Sequence, residues 1–141
     1  MTAKLNFKQS MSAGLMAAVA ALVINVVLFY IFHSTGVIDD KILIDGKQPL
    51  SILPIIFSCI IPSLIAAFVF FLMEKFTNNG YLIFSIVSIV LLILSFLSPF
   101  MTIKGISVGY GIVLSLMHIV VALSVLYFIR RALKTVKQIT V

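Results

Sequence analysis

Charge is what this chain most lacks: 10% of its 141 residues, ten Lys or Arg and four Asp or Glu. A water-soluble domain carries about 25% charged residues. Here apolar side chains take their place, at 62% of the chain and a mean hydropathy of +1.28. A soluble globular fold is thereby excluded. Carboxylates are scarcer still. Asp39, Asp40, Asp45 and Glu74 are the whole supply, and none lies inside a long apolar run, so a nucleophile, a base and an orienting acid have nowhere to converge. We expect no catalytic residues and no enzymatic activity. A single cysteine, Cys59, leaves no partner for an intrachain disulfide. Glycine-rich phosphate loops and zinc spacings are absent, and the three acids at 39–45 lack the regular oxygen ligands of a calcium loop, so no metal is expected. Paired intramembrane histidines can hold haem, but His33 and His118 would differ in depth by about 18 Å. No cofactor is expected.

Long apolar runs are what the chain has instead. Charged residues stop at Lys8, resume at Asp39, stop at Lys47, resume at Glu74 and Lys75, recur at Lys104 and return from Arg130 onward. The four intervening stretches each exceed the roughly 20 residues that cross about 30 Å of hydrocarbon as a helix. We place spans at residues 11–32, 50–73, 81–103 and 106–129, separated by an extracytoplasmic loop at 33–49 and followed by a basic tail at 130–141. Backbone groups in lipid must be satisfied within the segment, so the expected class is all-α: a membrane-spanning antiparallel four-helix bundle, up-down-up-down, in a single domain. The four tyrosines, Tyr30, Tyr81, Tyr110 and Tyr127, fall near span ends, where headgroups favour them.

Lys and Arg set the orientation. With the N-terminus inside, the cytoplasmic face holds Lys4, Lys8, Lys75, Arg130, Arg131, Lys134 and Lys137, against Lys41, Lys47 and Lys104 outside, so both termini are expected in the cytoplasm. The pI near 9.7 is then a topology signal. No soluble segment joins a basic patch to interleaved aromatics, so nucleic acid is not an expected partner. Ala18-Val19-Ala20 mimics a signal cleavage site, but it sits within an apolar run longer than the usual 7 to 15 residues, roughly, of a signal core. We expect an uncleaved first helix.

The connections narrow the shape. Asn78-Asn79-Gly80 and Lys104-Gly105 are short turns that make sequence neighbours into spatial neighbours. Pro54 and Pro62 predict kinks in the second span and Pro99 a break near the end of the third. Lys41-Ile42-Leu43-Ile44-Asp45-Gly46-Lys47 reads as a short strand entering a turn, expected to cap the bundle. In the tail, Arg130, Lys134 and Lys137 share one helical face, with Arg131 beside them. Such a face lies against the anionic headgroups of the bilayer, each cation contributing on the order of 1 kcal/mol.

Membrane helices associate through small and polar residues, so these positions indicate facing. Gly14, Ala18, Ala21 and Asn25 form a stripe in the first span, and Ser51, Ser58, Pro62 and Ala66 in the second. The third offers Ser85, Ser88, Ser95 and Pro99, and the fourth Ser107, Gly111, Ser115, His118 and Ala122. The simplest bundle turns all four stripes inward. Asn25, Ser58, Ser95 and Ser115 then lie about 12 Å below the outer boundary, with His118 a turn deeper, as a candidate intramembrane polar site. An ionisable group at that depth is by default a functional candidate, and we expect His118 to face the bundle interior.

Pro49-Leu50-Ser51, Ser58 with Pro62, Ser98-Pro99 and Leu114-Ser115-Leu116-Met117-His118 resemble a family of small, uncharacterised bacterial four-helix integral membrane proteins. The resemblance covers nearly the whole chain. It implies a fold and an inner-membrane location, without an established activity or assigned residues. Three readings of function follow. The first is a non-enzymatic membrane component that binds a membrane protein partner or a second copy of itself. The second is a small transporter or channel element using the polar layer and His118. The third is a lipid- or quinone-binding subunit of a larger complex.

Overall fold

A computed structural model describes residues 4–44 and 46–139 of the chain. Among these residues the fold is all-helical apart from one two-stranded pairing. Helix α1 spans Phe7–Ser34. It starts where Asn6 Oδ1 accepts from the Gln9 N–H while Gln9 Oε1 accepts from the Asn6 N–H, each at 2.9 Å, a reciprocal cap that satisfies two otherwise orphaned donors. The segment that follows forms strands β1 (Leu43–Ile44) and β2 (Gln48–Pro49), paired antiparallel with Leu43 opposite Pro49. Gly46 turns the hairpin at a φ of +67°, a conformation a Cβ would strain. Ile42 and Ile44 pack from it against the adjoining core.

Helix α2 spans Ile52–Phe76. Pro54 falls in its first turn, where no acceptor awaits its missing N–H. The kink expected there has no cause, and Pro62 alone stands inside the helix. Helix α3 spans Gly80–Ser95 and a short α4 spans Ser98–Thr102. The third span has its break at Phe96 and Leu97, near the end where Pro99 predicts one, with Pro99 in the first turn of α4. Helix α5 spans Val108–Ile139, its start held by Ser107 Oγ, which accepts from the Tyr110 N–H at 3.1 Å. Among the described residues, four stretches are long and apolar enough to cross a membrane: α1, α2, α3 with α4, and α5.

Helix α1 is the hub, in closest contact with α2 and α5. Its stripe of Gly14, Ala18, Ala21 and Asn25 is buried, as its small residues require. At Gly14 the approach is limiting: a Cβ there would stand 2.5 Å from Ala67 Cβ and 3.1 Å from the Ser63 carbonyl oxygen. The face of α2 meeting α1 is accordingly Cys59, Ser63 and Ala67, all buried. This corrects the expected inward stripe. Ser51, Ser58 and Pro62 are exposed and Ala66 is only half-buried, because two small-residue stripes lie one position apart and the second packs on α1. Helix α3 is thinly attached, with Gly80 and Phe84 its only buried residues.

Gly80 is pinned where α2 turns into α3, since a Cβ there would stand 2.6 Å from Glu74 Cα. Glu74 is buried there, under the charges of Lys4 and Lys137, and Lys4 Nζ donates to the Thr77 carbonyl at 2.9 Å. Tyr30 and Tyr127 are exposed, whereas Tyr81 is half-buried. Tyr110 is wholly enclosed by protein, so of the four ring positions expected at headgroups this one belongs to the core.

Candidate functional site

The second small stripe of α2 has a structural consequence. Ser58, Pro62 and Ala66 present little volume toward α3, and α3 presents Ser88 and Ser95 in return. Helix α3, joined to the rest mainly near Phe84, does not close the space. A cavity of about 560 Å³ remains between α2, α3 and α5, partly open to the surroundings. That is the size of many ligand sites, roughly 300 to 1,000 Å³. Its walls are mostly aliphatic, from Ile65, Leu91, Val121 and their neighbours. Helix α1 reaches it through one residue, Asn25.

Asn25 is 2% exposed. Its Nδ2 donates to the Met117 carbonyl at 3.2 Å and approaches Cys59 Sγ at 3.4 Å, tying α1 to α5 and α2 at one level. A carbonyl oxygen only accepts, so the amide nitrogen must be the atom that faces it. The amide oxygen Oδ1 is left buried without a hydrogen-bond partner. Ser10 Oγ, Ser63 Oγ and the Tyr110 hydroxyl share that condition, but of the four residues only Asn25 lines the cavity.

His118 follows Met117 on α5 and also lines the cavity. Its Nδ1 is 2.7 Å from the Leu114 carbonyl oxygen, so Nδ1 carries the proton and donates it. In the neutral ring Nε2 is then an acceptor. The expectation that His118 is enclosed by the bundle is corrected: its side chain is exposed, because the flank of α5 that α3 would cover is the open wall of the cavity. It stands about 15 Å from the start of α5.

Of the remaining residues of the expected polar layer, Ser58 and Ser95 line the same cavity, and Ser95 Oγ donates to the Leu92 carbonyl at 2.6 Å. Ser115 is not among the lining residues, and its hydroxyl donates to the Gly111 carbonyl at 3.0 Å. Sequence reasoning assigned no role to Cys59, which meets the Asn25 amide. The Cys59, Ser63, Ala67 repeat was the signal for it. Pro62 adds a backbone contribution, since it has no N–H to give to the Ser58 carbonyl. Both residues lie on the cavity wall.

Beyond the cavity, Arg130, Arg131, Lys134 and Lys137 are all exposed on the last turns of α5, while Ile129 is buried and Leu133 and Val136 are half-buried. The described residues contain no group of three His, Cys, Asp or Glu side chains placed to share a metal ion. No curated protein and no solved structure matches the chain. Residues 6–135, nearly its whole length, match the family of unknown function DUF6069, and the chain belongs to that family.

Proposed function

We propose that this protein is a non-enzymatic, multi-pass membrane protein that holds a lipid-like molecule in the groove between α2, α3 and α5. One observation carries the reading: a partly open, mostly apolar cavity of about 560 Å³ counts among its lining residues Asn25, whose amide oxygen is buried and unpartnered. The cavity lining is mostly aliphatic, which suits hydrocarbon chains better than a water-soluble ligand.

The accompanying topology is an up-down-up-down bundle with both termini in the cytoplasm of a bacterial cell and the hairpin outside the inner membrane. The supporting argument is the distribution of Lys and Arg, seven against three. The cationic end of α5 then rests on anionic headgroups of the inner leaflet. Among the three readings weighed, the groove favours the lipid- or quinone-binding one over transport and over partner binding.

The test is native mass spectrometry of protein extracted from membranes, comparing wild type with Ala122→Phe. Ala122 is half-buried on the groove wall, so a ring at that position takes up part of the cavity. We expect a retained small molecule in the wild type and its loss in the variant. Equal retention in both, or retention of a second protein chain in place of a small molecule, would overturn the reading.

A further inference from the structure

The polar groups of the groove are not a mixed set. Asn25 has spent its amide donors on the Met117 carbonyl at 3.2 Å and Cys59 Sγ at 3.4 Å and keeps a buried acceptor, Oδ1, without a partner. His118 has likewise spent its Nδ1 proton on the Leu114 carbonyl at 2.7 Å, and in the neutral ring Nε2 can only accept. Pro62 withholds from the Ser58 carbonyl the N–H that an ordinary residue would supply. Two acceptors on residues lining one apolar cavity therefore lack donors of their own, and a third, the Ser58 carbonyl, has lost its usual one. The movable hydroxyls are those of Ser58 and Ser88, and a serine hydroxyl both gives and takes.

From this we infer that the groove selects a neutral amphiphile whose polar end is a hydroxyl, such as a long-chain or isoprenoid alcohol, a diacylglycerol or a quinol, over the matching ether, ester or quinone. The inference rests on the groove reading above and adds the chemistry of the head. A hydroxyl at the level of Asn25 and His118 donates to one fixed acceptor and accepts from a serine hydroxyl. A quinol, with two O–H groups, donates to two. An ether or ketone oxygen in the same place sets acceptor against acceptor at His118 Nε2 and brings no proton toward the buried Asn25 oxygen. A buried group left unpaired is a stronger discriminator than an added methyl group. An anionic head finds no Lys or Arg in the groove: the four basic residues of α5 stand at 130–137, at least three turns beyond His118.

The test uses one probe and its methylated twin: farnesol and farnesyl methyl ether, added to wild-type protein in lipid nanodiscs against empty nanodiscs. The chain has two histidines, so ¹⁵N-histidine labelling gives His118 as reporter and His33 as internal standard. We expect farnesol to bind at least about tenfold more tightly than the ether and to move the His118 Nε2 resonance while His33 stays in place. His118→Leu should reduce the preference, and Pro62→Ala, which restores a donor to the Ser58 carbonyl, should reduce it without removing a side-chain group. Equal binding of both probes, abolished by Ala122→Phe, would sink the hydroxyl preference and leave the groove reading standing. Binding of neither probe, or binding of both that Ala122→Phe leaves unchanged, would sink the groove as well.

Discussion

The Asn25 amide donates to the Met117 carbonyl at 3.2 Å, one residue before His118, and the same nitrogen lies 3.4 Å from Cys59 Sγ. Three helices are thus registered by one side chain at one depth. The net value of such a bond inside a membrane protein averages about 0.6 kcal/mol and reaches roughly 1.7. We expect Asn25→Ala to destabilise the fold by about 1 kcal/mol in a reversible unfolding assay in mixed micelles. A loss above about 3 kcal/mol would mean that the buried amide holds more of the bundle than these two contacts.

Gly14 and Gly111 make an informative pair. A Cβ at Gly14 meets Ala67 Cβ and the Ser63 backbone, neither of which can swing away, and overpacking of that kind costs about 1 to 3 kcal/mol. Ala67→Gly in the same chain should recover a large part of that loss. A Cβ at Gly111 meets only the far edge of the Phe100 ring, an exposed side chain on α4 that can rotate. Gly111→Ala should cost less than about 1 kcal/mol. Equal costs for the two substitutions would show that α4 is held far more firmly than its packing indicates.

Asp40 pairs with His33 at 3.1 Å, both side chains well exposed. Exposed pairs of this kind contribute about 0 to 1 kcal/mol. Asp40→Asn should leave the thermal midpoint within a few degrees of wild type. A larger drop would assign the loop after α1 a part in holding the bundle.

The exposed cations Arg130, Arg131, Lys134 and Lys137 should enrich anionic lipid around the protein. Replacing all four by Gln is expected to remove most of the preference for phosphatidylglycerol over phosphatidylcholine in lipid-exchange mass spectrometry, since each contributes on the order of 1 kcal/mol. An unchanged preference would place the anionic contact elsewhere on the chain.

Groove binding also differs from conduction in its consequence for flux. In sealed liposomes under an imposed proton or ion gradient, wild type and His118→Leu should both match empty vesicles. Flux that is present in wild type and disappears in the variant would make His118 part of a pathway, contrary to the proposal.

How much of this was legible in the sequence depended on the kind of signal. Charge placement located all four long apolar helices, because a charge in hydrocarbon is costly wherever it falls. The turn at Gly46 was readable from Asp-Gly after three β-branched or aliphatic residues, and the α1 stripe from its small residues. Facing in α2 was not. With nearly every position apolar, hydrophobic periodicity carries no phase, and Ser58, Pro62, Ala66 and Cys59, Ser63, Ala67 are equally good stripes a single residue apart. The structure uses both, one against α1 and one along the groove. His118 was misplaced for a related reason: the sequence lists which helices exist but not that α3 stands off, so a polar residue on α5 was assigned to an interior that α3 leaves open.

The thin attachment of α3 also bears on how the protein is made. Helices α1 and α2 share a close interface and lie within the first 76 residues, so they can pair in the bilayer while the rest of the chain is still being synthesised. Helix α3 leaves the ribosome next but finds only part of its binding surface, because α5, its other neighbour, begins at Val108, 13 residues after α3 ends. It is committed to the membrane before it is committed to a place in the bundle. On the groove reading, lipid is expected at its flank from the moment of insertion, so that the groove is assembled around hydrocarbon already present.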